Sequence, residues 1–246
     1  MRDNDTAVAI LLAAGRSQRM GGIDKVWANL GGRPLLAWPL EMFAALDAVD
    51  TIVMVSAEER REQIEALAAE YAPGRDVGGT GGGDRRRDSV ATGLAAAPEA
   101  AWYLVHDAAR PLASATLTRR VLDAAREGGA AIPGLAIADT VKVVDADGQV
   151  TSTLDRATLR AVQTPQAFAG PLLRRAHAAP DDADATDDAQ LVERLGEPVV
   201  VVEGEPNALK VTTSEDLDRV RSLVEQGEPR SPLDAPIPRG ADHVAG

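Results

Sequence analysis

Short aliphatic runs alternate with longer amphipathic stretches along most of this chain. The aliphatic runs predict strands at residues 8–12, 51–56, 102–106, 130–137 and 198–202, and the amphipathic stretches predict helices at 34–46, 58–71, 88–97, 115–127 and 214–225. The continuous run at 8–12 is typical of a strand that is buried on both faces. Because strands alternate with helices, we predict an α/β domain with a mostly parallel, twisted sheet flanked by helices.

One segment interrupts this alternation. The stretch "TVKVVDADGQVTSTLD", residues 140–155, has two short β-rich runs around an Asp-Gly turn, which is typical of a hairpin. We interpret it as an arm, at about residues 138–160, inserted into a single domain that spans residues 1–225. Residues 226–246 are rich in proline, glycine and charge, which predicts a disordered tail.

Composition narrows the functional classes. The chain has 246 residues, a formal net charge of -12 and no cysteine. Because phosphate backbones favour a basic surface, nucleic acid is not expected as the main partner. Without cysteine, thiolate nucleophiles and disulfides are excluded. The apolar runs are shorter than the roughly 20 residues of a membrane span and no signal peptide is recognisable, so we expect a cytoplasmic protein without a membrane segment.

Lysine is scarce in this chain. Three of the 26 Lys and Arg residues are lysines, namely Lys25, Lys142 and Lys210. Each lysine either occupies a position that needs a compact ammonium group or remains by chance in a composition that favours arginine. In so acidic a chain, an anionic ligand would need a local cluster of cations.

The stretch "LLAAGRSQRM", residues 11–20, follows the first predicted strand directly. Ala13, Ala14 and Gly15 carry almost no side chain, so a ligand can lie against their backbone amides. Arg16 and Arg19 add positive charge beside that backbone. The combination indicates a site for a phosphorylated ligand.

Two further stretches follow strands. "GGTGGGDRRRDSV", residues 78–90, places glycines and arginines before a helix that Asp88 or Ser89 could cap. This loop could approach a base or a phosphate closely, or it could be a flexible surface loop without a ligand. "VHDAARP", residues 105–111, lies at the carboxyl end of a predicted strand, where open α/β sheets bind ligands. Asp107 could meet a metal or hydroxyl and Arg110 a phosphate, or the two side chains could pair with each other.

Three later stretches carry charged residues at predicted turns or helix starts. "LDRATLRAVQTPQAF" offers Arg156 and Arg160 beside a Thr-Pro turn, "ATDDAQL" contains Thr186 at a predicted helix start, and "NALKVTTSEDL" places Lys210 before an N-capping Thr or Ser. Helix capping is the ordinary role of "TDD", and Lys210 taken alone would be an ordinary surface lysine.

Several common sites are excluded by spacing. The first loop lacks the P-loop pattern, and neither glycine loop has the G-x-G-x-x-G spacing of a dinucleotide site. His106, His177 and His243 are too far apart to indicate a local zinc site, and no serine lies in G-x-S-x-G. A hydrolase with an activated nucleophile is therefore not expected.

Taken together, the motifs resemble one family. "LLAAGRSQRMGGIDK", "GGDRRRDSV", "VHDAARP", "DTVK", "TPQAF", "TDDA" and "NALKVT" occur in the order typical of the 2-C-methyl-D-erythritol 4-phosphate cytidylyltransferases of the non-mevalonate isoprenoid pathway. The resemblance covers about residues 7–224. The start A-A-G-x-x-x-R-M is shared by sugar-nucleotide transferases, whereas H-D-A-A-R-P with D-T-x-K is more specific. One departure is Asp24, which stands where the family usually has proline, beside Lys25.

The resemblance implies a single Rossmann-like domain that transfers the cytidylyl group of CTP to methylerythritol phosphate and releases pyrophosphate. The implied catalytic residues are Arg19 and Lys25. The implied CTP-binding residues are Ala13, Ala14, Gly15, Gly83, Asp84, Arg86, Ser89 and Ala108. The implied acceptor-binding residues are Asp107, Arg110, Thr140, Arg156, Thr186 and Lys210.

The resemblance also implies a cofactor and an assembly. Mg²⁺ would bridge the CTP phosphates, with Asp107 as the nearest protein ligand. The arm would form a homodimer across a two-fold axis, so that Thr140 and Arg156 would serve the partner's site.

Two alternatives stay open at this point. A ribitol 5-phosphate cytidylyltransferase would share the cytidine site but take another acceptor; the Ala-Ala pair of "HDAARP" and the "DTVK" stretch favour methylerythritol phosphate. A non-catalytic nucleotide-binding regulator would be expected to lack Arg19, Lys25 or Lys210, and all three are present.

Overall fold

The strands of the structure follow the aliphatic runs of the sequence. The computed structural model describes residues 6–15, 25–180 and 185–227. Each of the five predicted strands is present and begins and ends within two residues of its prediction. The strands are β1 (Ala7–Leu12), β2 (Asn29–Leu30), β3 (Arg33–Pro34), β4 (Val49–Ser56), β5 (Asp76–Gly81), β6 (Trp102–Asp107), β7 (Ala130–Ala136), β8 (Lys142–Val144), β9 (Val150–Thr153), β10 (Arg160–Val162), β11 (Gln166–Ala169) and β12 (Val200–Glu203).

The five predicted helices are also present. The α-helices are α1 (Ala37–Ala44), α2 (Arg61–Tyr71), α3 (Arg86–Ala96), α4 (Ala115–Gly128), α5 (Gly170–Ala178), α6 (Asp188–Arg194) and α7 (Ser214–Glu225). Short 3₁₀ turns occupy Lys25–Trp27, Glu58–Arg60 and Arg156–Thr158. The first turn of α7 is capped by Thr213, whose hydroxyl accepts a hydrogen bond from the Asp216 amide, as the sequence predicted.

The main sheet is mostly parallel, which confirms the predicted fold class. Its strand order is β10-β7-β11-β6-β1-β4-β5, and β12 pairs with β7. The strands β1, β4, β5 and β6 form parallel pairs, and β12 is parallel to β7, whereas β10 and β11 are antiparallel to their neighbours. The carboxyl ends of β1, β4, β5 and β6 therefore meet at one edge.

Helices cover both faces of the sheet. Along β1, Ala9 and Leu11 contribute to a cluster with side chains of α1, α2 and α4, while Val8 and Ile10 contribute to a second cluster with α3, α5 and α6. This alternation follows the period of two residues in a strand, and burial on both sides explains why the run at 8–12 is continuously apolar. Helix α7 packs in a third cluster around Leu217 and Val220.

Four elements of the main sheet and its cover, β5, β10, β11 and α5, had no sequence prediction, and of α6 only the start was predicted. Strand β5 reads "DVGGTG", and its glycines give no aliphatic signal, although it pairs in register with β4. Strands β10 and β11 are short and flank a Thr-Pro turn, and α5 and α6 are short helices. Such elements form because neighbouring strands and the core stabilise them, not because of local sequence preference.

The predicted hairpin is present. Strands β8 and β9 pair with each other in a separate two-stranded sheet. Asp145 and Gly148 form the turn, where the Gly148 amide donates to the Asp145 carbonyl and Gly148 has a φ of 78°. The chain leaves the main sheet after Ala136 and rejoins it at Arg160, so the arm fills the interval predicted for it.

Some predictions fall outside the described residues. Arg16, Arg19 and Asp24 lie in the first loop between 15 and 25, and residues 228–246 make up most of the predicted tail. In the part of the chain that the structure describes, no helix combines the length and apolar character needed to cross a membrane.

Candidate active site

The carboxyl edge of the sheet brings most of the predicted loops together around one pocket. Its volume is about 430 Å³. Nine of the residues predicted for the site line it, namely Ala14, Gly15, Lys25, Gly83, Asp84, Arg86, Ser89, Asp107 and Lys210. The pocket is also lined by four residues for which the sequence predicted no role, namely Leu12, Val26, Arg85 and Ala109.

The first loop is tied to the sheet before it opens into the pocket. The Ala13 amide donates to the Val55 carbonyl at 2.7 Å, and the Ala108 amide donates to the Leu12 carbonyl at 3.0 Å. Ala13 is 6% exposed and Ala108 is fully buried, so these two residues pack in the core beneath the pocket and do not line it. Gly15 has no heavy atom within 4 Å of where a Cβ would stand, which leaves room for a ligand beside the backbone.

The glycine loop packs closely against its neighbours. A Cβ on Gly82 would lie 2.2 Å from the Ala14 Cβ, and a Cβ on Gly83 would lie 2.4 Å from the Asp88 Cβ. The Ser89 hydroxyl accepts a hydrogen bond from the Gly83 amide at 3.1 Å. Glycine is therefore required here so that the loop can approach β1 and α3, and the loop is not a free surface loop.

Neither Asp88 nor Ser89 is the N-cap residue of α3, but Asp88 does cap the helix as the third residue of its first turn, in a capping box. The helix begins at Arg86, with Arg85 at the N-cap. Asp88 lies in the first turn and accepts a hydrogen bond from the Arg85 amide at 3.2 Å, and Ser89 is engaged with Gly83. The start of the helix was not predicted from the sequence because it lies in the run of arginines at 85–87, and arginine is not a preferred N-cap residue.

With CTP, the nucleotide that the resemblance implies, we expect Gly82→Ala to raise the KM about tenfold. The added methyl group meets the Cβ of Ala14, which cannot rotate away, so the loop must shift, and such overpacking costs about 1–3 kcal/mol. Steady-state kinetics measure the effect. Gly81→Ala is the matched control, since its Cβ would meet nothing within 4 Å. If both variants keep the wild-type KM, the loop does not form the nucleotide site.

Charged side chains converge at the floor of the pocket. The Lys210 ammonium donates to Asp107 Oδ2 at 2.7 Å, and Arg86 Nε donates to Asp107 Oδ1 at 3.3 Å. Burial alone would raise the pKa of Asp107, but the charges of Arg86 and Lys210 outweigh it and hold that pKa well below its usual range. Asp107 is therefore an anion that orients two cations.

The alternative pairing of Asp107 with Arg110 is not observed among the described residues. Arg110 donates instead to the carbonyl groups of Ala208 at 2.8 Å and Val162 at 3.3 Å. It therefore ties the loop after β6 to the segments that carry Lys210 and β10. Arg110 does not line the pocket.

Two polar residues fix the backbone at Asp107. The Asp107 amide donates to the Thr164 hydroxyl oxygen at 3.0 Å, and Thr164 Oγ1 lies 2.9 Å from His106 Nδ1. Burial lowers the pKa of His106 to about 4, so its ring is neutral near pH 7. The neutral ring can accept from Thr164 and donate through Nε2 to the Arg110 carbonyl at 3.2 Å.

Besides Arg110, three further predicted acceptor-binding residues do not line the pocket of their own chain. Thr140 and Arg156 are exposed at the base of the arm, where Arg156 donates to the Ala138 carbonyl. Thr186 is exposed before α6, and the predicted capping of that helix is confirmed, because Asp187 accepts from the Gln190 amide at 3.0 Å. Thr140 and Arg156 therefore do not line the pocket of their own chain.

Asp188, the last residue of "TDD", was predicted only as a possible helix cap, but in the structure it forms buried polar contacts. It is fully buried, accepts a hydrogen bond from Arg86 at 2.8 Å and lies 2.9 Å from His177 Nε2. Asp188 lies 102 residues from Arg86 in sequence, so no local spacing could have indicated the contact.

The pocket residues could hold Mg²⁺ only together with the phosphates of a bound triphosphate. The described residues contain no group of three or more His, Asp or Glu side chains that could hold a metal. Asp107 is the ionised carboxylate on the pocket floor. Mg²⁺ in nucleotide sites is commonly held by one or two carboxylates together with substrate phosphates, and Asp107 can supply one.

The fold and the pocket define a nucleotidyltransferase. A glycine-bordered pocket at the carboxyl edge of an open α/β sheet, with converging cations, suits a phosphorylated ligand such as a nucleotide. The chain belongs to the 2-C-methyl-D-erythritol 4-phosphate cytidylyltransferase family, whose model matches residues 7–226. The family inferred from the motifs is thereby confirmed.

Relatives and solved structures agree with this family. A 2-C-methyl-D-erythritol 4-phosphate cytidylyltransferase of Nocardia farcinica is 48% identical over 228 residues, which cover 91% of this chain and 96% of the relative. The crystal structure of the 4-diphosphocytidyl-2C-methyl-D-erythritol synthase of Anaerococcus prevotii is 30% identical with a TM-score of 0.80, covering 91% of this chain and all of that one. The corresponding cytidylyltransferase of Thermus thermophilus is 37% identical with a TM-score of 0.72, covering 89% and 100%.

Proposed function

We propose that this pocket is where the enzyme transfers the cytidylyl group of CTP to 2-C-methyl-D-erythritol 4-phosphate, a step of isoprenoid precursor biosynthesis. The observation that carries the assignment of the site is the convergence of Lys25, Arg86 and Lys210 on a pocket with a glycine wall. In a chain with a net charge of -12, such a cluster is the local feature that suits a triphosphate.

The cytosine base is assigned to the glycine-loop side of the pocket. Ala14, Gly83 and Ser89 border it with small groups and backbone, and Asp84 adds a polar side chain. Backbone amides and carbonyls there can pair with the edge of a pyrimidine, and the close packing of Gly82 against Ala14 and of Gly83 against Asp88 holds that backbone in place.

The triphosphate is assigned to the first loop. It would run past Gly15 to Lys25, with Arg19 in the same loop contributing a second cation. An oxygen of the acceptor phosphate attacks the α-phosphorus in line, a new P–O bond forms, and the bond to the β-phosphate oxygen breaks to release pyrophosphate. The protein positions the two phosphates and neutralises the charge that develops, so no protein nucleophile is needed.

Lys210 and Asp107 are assigned to the acceptor side of the reaction. Asp107 holds the Lys210 ammonium at 2.7 Å, which directs this cation into the pocket. Mg²⁺ held by the triphosphate and by Asp107 would supply further neutralisation of the phosphate oxygens.

The proposal includes a homodimer and a cytoplasmic location. The arm exposes Val143, Val144, Val150 and Leu154, an apolar surface that suits burial against a second copy. In such a dimer Thr140 and Arg156 of one copy would reach the acceptor phosphate in the other. A cytoplasmic location would give the enzyme access to CTP.

The proposal also concerns base choice: we expect CTP to be used roughly ten- to a hundredfold more efficiently than UTP. Uracil exchanges the amino donor of cytosine for an oxygen, so a buried protein acceptor loses its partner, at about 1–3 kcal/mol. ATP and GTP should react even more slowly, because the site is assigned to a single pyrimidine ring. Values of kcat/KM for the four nucleotides with one acceptor measure this preference. Equal efficiency with all four would contradict the assignment of the base site.

A further inference from the structure

A buried chain of polar contacts runs from helix α5 to the pocket. His177 on α5 contacts Asp188 on α6, Asp188 contacts Arg86 on α3, and Arg86 contacts Asp107 at the end of β6. The side chains of His177 and Asp188 are 5% and 1% exposed. Neither residue lines the pocket.

Arg86 is shared between two carboxylates in this chain. Its NH1 donates to Asp188 Oδ2 at 2.8 Å, and its Nε donates to Asp107 Oδ1 at 3.3 Å. The shorter contact is the one to Asp188, away from the pocket. The second oxygen of Asp107, Oδ2, therefore accepts from the Lys210 ammonium at 2.7 Å.

Asp188 is itself held on both sides. One oxygen accepts from Arg86, and the other lies 2.9 Å from His177 Nε2. Burial would raise the pKa of Asp188, but the charge of Arg86 and the hydrogen bond of His177 lower it, so the carboxylate is ionised. A buried carboxylate with partners on both oxygens has one orientation available to it.

We infer that Asp188 and His177 are positioning residues for the transfer reaction, because they hold Arg86 so that Asp107 keeps its second oxygen on Lys210. This inference rests on the proposed function of the pocket. Without the charge of Asp188, the guanidinium of Arg86 would have Asp107 as its remaining carboxylate partner among the residues that the structure describes. Its planar fork suits both oxygens of a carboxylate, so Arg86 would displace Lys210.

Turnover of the Asp188→Asn variant tests the catalytic part. We expect kcat to fall about tenfold, as is typical when a residue that orients a ligand-binding group is changed, with a smaller change in the KM for CTP. Glu197→Gln is the matched control: Glu197 pairs with Arg175 of α5 on the exposed surface, and its loss should leave kcat unchanged. If Asp188→Asn keeps the kcat of this control, the inference is wrong.

A double-mutant cycle separates positioning from a general structural role. If Asp188 acts through Arg86, the substitution Asp188→Asn should cost less than about twofold in an Arg86→Gln background. The same tenfold loss in both backgrounds would show that Asp188 acts independently of Arg86 and would overturn the inference.

His177 provides a second route to the same test. Its contact to Asp188 is made by Nε2, and glutamine can place an amide N–H near that position, whereas leucine cannot. We expect His177→Leu to lower kcat several-fold and His177→Gln to restore most of it. Equal kcat values for the two variants would exclude His177 from the positioning role.

Labelling of lysines gives a readout that needs no turnover. The chain has three lysines, so an amine-reactive acetylating reagent and mass spectrometry can follow each one separately. A Lys210 released from Asp107 should be labelled several-fold faster in Asp188→Asn than in the wild type, relative to Lys142 on the arm, and at the wild-type rate in Glu197→Gln. An unchanged ratio overturns the inference even if the wild type is active. A changed ratio in an enzyme without turnover supports the contact chain and contradicts the proposed function alone.

Discussion

Lys25→Ala should lower turnover of CTP by roughly a hundredfold or more while leaving the protein folded. Lys25 lines the pocket beside the first loop, and its compact charge is assigned to the triphosphate. A cation that stabilises charge developing in the transition state is typically worth a factor of about 10² or more. Pyrophosphate release measures the loss, and the thermal unfolding midpoint shows whether the fold is intact.

Two further variants sharpen this prediction. Lys25→Arg should also be impaired, because a planar guanidinium cannot occupy the point taken by an ammonium. Arg126→Ala removes a cation that pairs with Asp123 on α4, and it should leave turnover unchanged. A folded Lys25→Ala enzyme with near-normal turnover would show that Lys25 does not contact the triphosphate.

Mixing two inactive variants should restore activity if the arm completes the site of a second subunit. Lys25 lines the pocket of its own chain, whereas Arg156 lies exposed at the base of the arm. In a mixed dimer of Lys25→Ala and Arg156→Ala chains, one of the two sites has both residues intact. About half of the dimers are mixed after random exchange, so roughly a quarter of wild-type activity is expected if the sites act independently.

The matched control for this experiment uses two residues of the same pocket. Lys25 and Lys210 both line the pocket of one chain, so a mixture of Lys25→Ala and Lys210→Ala leaves every site defective. That mixture should stay inactive. If the mixture with Arg156→Ala also stays inactive after mass spectrometry has shown subunit exchange, Arg156 does not serve the partner's site.

The hydrophobic pattern predicted the fold where burial is uniform along an element. β1 is apolar at every position because both of its faces are covered, and its bounds were predicted within one residue. β5 gave no such signal, since Gly78 and Gly79 have no side chains and the strand is defined by its pairing with β4. Register with a neighbouring strand is a tertiary effect that a local pattern does not contain.

The candidate site was predictable to the extent that it is built from loops after strands. Ala14 and Gly83 follow β1 and β5, Asp107 is the last residue of β6, and parallel strands bring their carboxyl ends together. The contacts that organise the charges were not predictable: Arg86 contacts Asp188 across 102 residues, and Lys210 contacts Asp107 across 103. Such contacts depend on where the chain returns in space, which motif spacing does not specify.

The most direct test of the central claim is pyrophosphate release from CTP with each of two acceptors. The account predicts rapid release with 2-C-methyl-D-erythritol 4-phosphate, formation of 4-diphosphocytidyl-2-C-methyl-D-erythritol in equal amount, and much slower release with ribitol 5-phosphate. Faster release with ribitol 5-phosphate would contradict the assigned acceptor. The absence of release with both acceptors, in a protein that still binds CTP, would identify a nucleotide-binding regulator instead of an enzyme.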